Sequence, residues 1–198
     1  MNKTLDYIKK EWQIDLSQPS PIFVSRSRDW GLPKLLKELN FTVGAEVGVA
    51  EGLYSEILFQ KIPNLRLFEI DAWEEYIGYE DYHAERLAQK YINARLRLAP
   101  YNSHFIRDFS VDAAKKFKDE SLDFVYIDAA HDYEHVKEDL QAWHPKVKHG
   151  GIVAGHDYGY VRVYGVVKAV NEWTTNKKIH PLIILKKSST KSWLYIKP

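Results

Sequence analysis

The chain has 198 residues, a length that fits one large domain, and 45% of them are hydrophobic, enough for a sizeable core. Lys and Arg number 28 against 27 Asp and Glu, so the net charge of +1 gives no basic excess for nucleic acid or an anionic membrane. The absence of cysteine excludes disulfides, thiolate metal sites and a cysteine nucleophile. The polar N-terminus lacks a signal-peptide core, and no apolar run approaches the roughly 20 residues that span a bilayer. The expected setting is cytoplasmic, with no membrane partner.

In chain order, Leu5 to Trp12 has helical spacing, with Leu5, Ile8 and Trp12 on one face. Ser17 to Pro21 breaks it, and a second helix is expected over Leu32 to Leu39 with Pro33 in its first turn. Strand and helix then alternate: Val43 to Val47, Leu53 to Gln60, Asn64 to Ile70. Residues 74–100 interrupt the pattern with Tyr76, Tyr79, Tyr82 and Tyr91 and a basic stretch, Arg86 to Leu98. This segment reads as a helical insertion, either a lid at a pocket mouth or a solvated surface helix. Alternation resumes with a strand at Ser103 to Arg107, a helix at Val111 to Phe117 and a strand at Phe124 to Ile127. A helix over Tyr133 to His144, a strand at Gly151 to Ala154 and a helix over Val166 to Thr174 follow. Ile179 to Leu185 and Ser192 to Ile196 read as a terminal hairpin turning at Ser188 to Thr190.

This order argues for an α/β fold: a Rossmann-like, doubly wound, mostly parallel sheet of seven strands with helices on both faces and an antiparallel edge hairpin. Residues 1–40 form an N-terminal helical extension, and 41–198 the main domain. The extension carries no motif and is a candidate for homo-oligomer formation.

The first long strand runs into Glu46-Val-Gly48-Val-Ala-Glu-Gly52. Gly48 lets the backbone turn tightly and approach a ligand, and Gly52 allows close packing where the helix starts. The spacing is neither that of a dinucleotide phosphate loop nor of a P-loop, and Glu46 would repel a phosphate. Asp71 ends the next strand, nineteen residues past Gly52, where a carboxylate accepts from ribose hydroxyls. Asp108 and Phe109 follow the third strand, placed to accept from an exocyclic amine and to flank a base. Ser110 reads as a helix cap. Together, in this order, these features indicate a nucleoside-type cofactor.

The strongest segment is Leu122-Asp-Phe-Val-Tyr-Ile-Asp128-Ala-Ala-His131. Its apolar run is a strand buried on both faces, and ligands in open α/β sheets sit beyond the carboxyl ends of such strands. Downstream, Gly155-His156-Asp157 ends the next strand. Asp128 and Asp157 would leave neighbouring strands at one edge, and two close carboxylates repel unless a cation lies between them. Oxygen ligands with open positions suit Mg²⁺; participation of His156 would shift the preference toward Mn²⁺ or Fe²⁺. His131 is the candidate general base. The competing readings are a helix N-cap for His131, a loop-capping Asp157 and a satisfied buried His156. His144 and His149 read as surface residues.

These motifs resemble those of class I S-adenosylmethionine-dependent methyltransferases, and more narrowly the metal-dependent small-molecule O-methyltransferases, sugar-modifying members included. The matching stretches are Glu46-Val-Gly48-Val-Ala-Glu-Gly52, Ile70-Asp71-Ala-Trp73, Tyr126-Ile-Asp128-Ala-Ala-His131 and Gly155-His156-Asp157. The resemblance implies S-adenosylmethionine as cofactor, with Glu46 and Gly48 at its methionine end, Asp71 and Trp73 at the ribose, and Asp108 and Phe109 at the adenine. It implies a divalent metal on Asp128 and Asp157 and a base at His131. Tyr158 stands where catechol-type relatives carry Asn, which leaves the third ligand open. The expected function is O-methylation of a small hydroxylated molecule, a sugar or polyol-bearing metabolite, and not of nucleic acid. A non-catalytic binding protein on the same scaffold and a nucleic-acid methyltransferase are the alternatives.

Overall fold

Strand and helix alternate to build one mixed sheet in the order β1-β7-β8-β6-β5-β2-β3-β4. The computed structural model describes residues 3–75, 83–159, 164–188 and 190–198. Its elements run as α1 (Lys3–Trp12), β1 (Ile22–Val24), α2 (Gly31–Glu38), β2 (Val43–Val47), α3 (Leu53–Lys61), β3 (Arg66–Asp71), α4 (Ala84–Leu98) and β4 (Ser103–Arg107). They continue as α5 (Ser110–Ala114), β5 (Leu122–Ile127), α6 (Tyr133–Trp143), β6 (Val147–Gly155), α7 (Tyr164–Asn176), β7 (Leu182–Leu185) and β8 (Ser192–Ile196). Every ladder is parallel except the two made by β8.

The central strands are apolar throughout because both faces are covered. Phe124 and Tyr126 of β5 pack with Leu35 of α2 and Leu58 of α3. Val125 and Ile127, pointing the other way, pack with Leu140 of α6 and Val170 of α7. Helices α1 to α4 thus cover one face and α5 to α7 the other. The chain leaves β2 for β3 on one side, while β5 lies on the other side of β2. This switch point opens a crevice beyond the strand ends, where ligands bind in such sheets.

Two expectations are corrected. Among the described residues the sheet has eight strands, not seven, because β1 pairs with β7 through Ile22↔Ile183 and Val24↔Leu185. The β7–β8 hairpin is therefore not the edge; β1 is. The N-terminal region is also not purely helical. Its strand has three residues with buried Ile22 and Val24 flanking exposed Phe23, too short for periodicity to reveal. Within the expected insertion, α4 forms as read, while Tyr76, Tyr79 and Tyr82 lie outside the described residues. Among the described residues no helix is long and apolar enough to cross a membrane.

Candidate active site

The glycine loop lies against the end of β5. Gly48 has φ +91, and a Cβ there would fall 2.2 Å from the Asp128 carbonyl oxygen. Only glycine allows this approach. Asp71 reaches back from β3 to hold the loop: its Oδ2 accepts from the Ala50 N–H at 2.9 Å and its Oδ1 from the Trp73 N–H at 2.8 Å. Trp73 is buried, and its Nε1 donates to the Ala50 carbonyl at 2.8 Å. These ties keep Ala50 and Trp73 at φ 49 and 45, a left-handed backbone that costs energy outside glycine. Burial raises the Asp71 carboxyl above its usual range despite its backbone donors.

The end of β4 joins the same edge, because the Asp108 N–H donates to the Asp71 carbonyl at 3.2 Å. The Asp108 carboxylate pairs with Lys116 at 2.8 Å, and the Phe109 ring is exposed. Ser110 does not cap its helix. Its hydroxyl donates to buried Asp139 and accepts from Trp143 Nε1, tying α5 to α6. Glu46 is buried and turned under α3, where Ser55 Oγ lies 2.5 Å from its carboxyl.

The sheet register brings the acidic residues together. Ile127 of β5 pairs with Gly155 of β6, so Asp128 and the His156-Asp157 pair emerge side by side. His131 Nε2 lies 2.9 Å from Asp157 Oδ2 and 3.6 Å from Asp128 Oδ1. His156 Nδ1 lies 3.3 Å from Asp157 Oδ1 and 3.6 Å from Asp128 Oδ1, and its Nε2 meets Thr190 Oγ1 at 2.7 Å. Asp157 sits at φ 55, another strained position at the site. The N-cap of α6 is Asp132, whose side chain accepts from the His135 N–H, so His131 is not occupied as a cap.

Burial alone would push the His131 imidazole down, but the carboxylates of Asp128 and Asp157 beside it outweigh this and hold the ring up to about 9. Asp157 is also desolvated, yet its bonds to His131 and His156 keep its carboxyl far below the usual carboxylate range. At neutral pH His131 is thus an imidazolium between two carboxylates.

One participant escaped sequence reasoning. Arg28, between β1 and α2, extends its Nη1 to 3.1 Å from Asp128 Oδ2 and 3.4 Å from the Tyr126 hydroxyl. Its guanidinium lies 4.9 Å from the Tyr54 ring centroid, and the Tyr54 hydroxyl donates to the Arg28 carbonyl. A lone arginine 100 residues before its partner leaves no local pattern.

Among the described residues, ligand atoms of Asp128, His131 and Asp157 all lie within 4.8 Å of one another. Two carboxylates and an imidazole fit Mg²⁺, Mn²⁺ or Fe²⁺ by donor chemistry. The expected set of Asp128, His156 and Asp157 shares both carboxylates with this group, with His156 adjoining it. Tyr158 takes another direction, donating to Asn171 of α7 at 2.8 Å.

Fold and site together define a Rossmann-like protein with a glycine loop and an acid–imidazole centre at the carboxyl ends of its central strands. Residues 45–158 match the family model of the methyltransferase domain, and the chain belongs to that family. It is a class I S-adenosylmethionine-dependent methyltransferase. A search of curated proteins gives no significant match. Solved structures with the same fold include a protein assigned as a caffeoyl-CoA O-methyltransferase from Staphylococcus aureus, 18% identical, TM-score 0.61, covering 83% of this chain and 80% of that one. An rRNA methylase from Streptococcus thermophilus is 12% identical with TM-score 0.61, covering 86% and 97%. A TDP-rhamnose 3'-O-methyltransferase of calicheamicin biosynthesis is 20% identical with TM-score 0.50, covering 78% and 71%.

Proposed function

We propose that the enzyme transfers a methyl group to a hydroxyl oxygen of a small molecule, a sugar or polyol-bearing metabolite, assisted by a divalent ion and with His131 as general base. The observation that carries the reading is the convergence of Asp128, His131 and Asp157 next to the glycine loop. The likeness to a TDP-rhamnose 3'-O-methyltransferase is in keeping with a sugar-type acceptor. The balanced charge weighs against the RNA acceptor suggested by the likeness to an rRNA methylase. A cytoplasmic location and a homo-oligomeric state belong to the same proposal.

S-adenosylmethionine supplies a methyl group already activated on its sulfonium. Asp128 and Asp157, with His156 beside them, would hold a divalent ion, which would supply charge that eases loss of the hydroxyl proton. The protein's part is alignment, which in favourable cases contributes about 7–11 kcal/mol. Gly48 would face the methionine end, with Glu46 buried under α3 nearby, Asp71 the ribose, with Trp73 buried beside the loop, and Asp108 and Phe109 the adenine. His131 must first give up its own proton. With the charge of Asp128 and Asp157 shared by a bound cation, that proton would pass to solvent. Nε2 then accepts the acceptor's proton as the oxygen–carbon bond forms, the carbon–sulfur bond breaks and S-adenosylhomocysteine leaves.

The test is incubation with methyl-labelled S-adenosylmethionine, Mg²⁺, a panel of hydroxylated metabolites and, separately, total RNA. Label is expected in a small-molecule methyl ether. Label in RNA alone, or no calorimetric binding of S-adenosylhomocysteine, would overturn the reading.

A further inference from the structure

The two oxygens of Asp128 serve opposite sides. Oδ1 faces His131 and His156, whereas Oδ2 is taken by Arg28 at 3.1 Å. The guanidinium is seated from three directions: the Tyr126 hydroxyl, the Tyr54 ring, and Asp29, whose Oδ1 lies 3.5 Å from Nε. Its backbone carbonyl accepts from the Tyr54 hydroxyl. Asp29 offers an exposed second carboxylate for the same cation.

We propose that Arg28 is a resident counter-cation that competes with the divalent ion for Asp128, so that metal binding is linked to withdrawal of the guanidinium toward Asp29. This rests on the metal-assisted reading above. A guanidinium is permanently charged and already neutralises one carboxylate. A divalent ion on Oδ1 would put a second, larger positive charge on the same carboxylate at short range, and like charges there repel strongly. A neutral residue bonded to a ligand carboxylate would strengthen metal binding by orienting it. A cation in that place weakens it. Arg28 therefore makes the centre a low-affinity one whose carboxylates are held in place before the ion arrives.

Mn²⁺ titration followed by electron paramagnetic resonance measures this directly, without turnover. The wild type, Arg28→Met and Arg28→Lys are compared with S-adenosylhomocysteine present, and circular dichroism checks the fold. Arg28→Met keeps the packing on Tyr54 and is expected to bind Mn²⁺ at least about tenfold tighter. Arg28→Lys, which keeps the charge, should stay near wild type. Arg28→Gln replaces the Met variant if that one does not fold. A neutral variant that binds no tighter overturns the proposal, as does a Lys variant as tight as the neutral one. If neither the wild type nor any variant binds Mn²⁺, the metal-assisted reading falls and this proposal falls with it.

Discussion

Glu46 of β2 and Glu69 of β3 stand opposite each other in register, both sealed from solvent. Ser55 Oγ lies 2.5 Å from one carboxyl and 2.7 Å from the other. A serine hydroxyl has one proton to donate. Two such contacts therefore need a proton from one of the carboxyls. Burial also favours the neutral form: it lifts Glu46 well above its ordinary value, with Glu69 adding to the effect, and it lifts Glu69 to about 8 against the pull of Ser55. Glu46 is thus half of a proton-sharing pair.

The stability consequence has a definite sign. The folded pair keeps protons that the unfolded chain releases above the ordinary carboxyl value of 4.5. The folded state therefore loses stability as pH rises from 4.5 to about 8. Glu69→Gln removes one of the two acids. It should gain stability relative to wild type between pH 5 and pH 9, because the variant lacks the proton that the wild-type pair must keep. Urea denaturation at both pH values measures it, and a difference independent of pH would rule out proton sharing.

Asp128→Asn and Asp157→Asn each remove a negative charge from the acid–imidazole centre. Both should fold, because the strand register that sets their positions is made by backbone bonds and apolar packing. Both are expected to lose the Mg²⁺-dependent part of methyl transfer. Full wild-type activity in excess chelator would contradict a role for a metal.

Much of this was legible in the chain. The strands of the sheet interior announce themselves because burial on both faces demands unbroken apolar runs, as in Phe124 to Ile127. The residues at their ends, Asp71, Asp128 and Asp157, follow from that reading. What was not legible depends on partners brought close only by folding. Arg28 has no motif around it. Glu69 sits inside an apolar strand, and its part shows only in register with Glu46. Ile22 and Val24 make a strand only because β7 offers an open edge. Ser110 looked like a cap because it starts a helix, but the burial of Asp139 and Trp143 beside it decides its bonds.

His131→Ala separates chemistry from binding. The ring lies beside Asp157 and Asp128, whereas the loop is held by Asp71 and not by His131. Turnover should fall by about 10²- to 10⁴-fold, the usual contribution of a general base. Affinity for S-adenosylhomocysteine should stay within a few-fold. Unchanged turnover would reduce His131 to a counter-ion of the acidic pair.

His144 corrects a surface expectation. Its Nδ1 lies 3.0 Å from the Tyr195 hydroxyl and its ring centroid 5.4 Å from that of Trp173. Burial first, then Lys197 and Lys177, hold the imidazole down at about 4. In the unfolded chain the ring titrates near 6.5, so the unfolded state binds the proton first. Stability contributed by neutral His144 is therefore present above pH 6.5 and lost as pH falls to about 4. The ring is partly exposed, and solvent screening limits the effect to about 1 kcal/mol. His144→Gln retains a polar partner for Tyr195 without the titration. Its melting temperature should fall less than that of wild type between pH 6.5 and pH 4, and the difference between the two proteins cancels the carboxylates they share. Parallel curves would show that His144 does not take up a proton on unfolding.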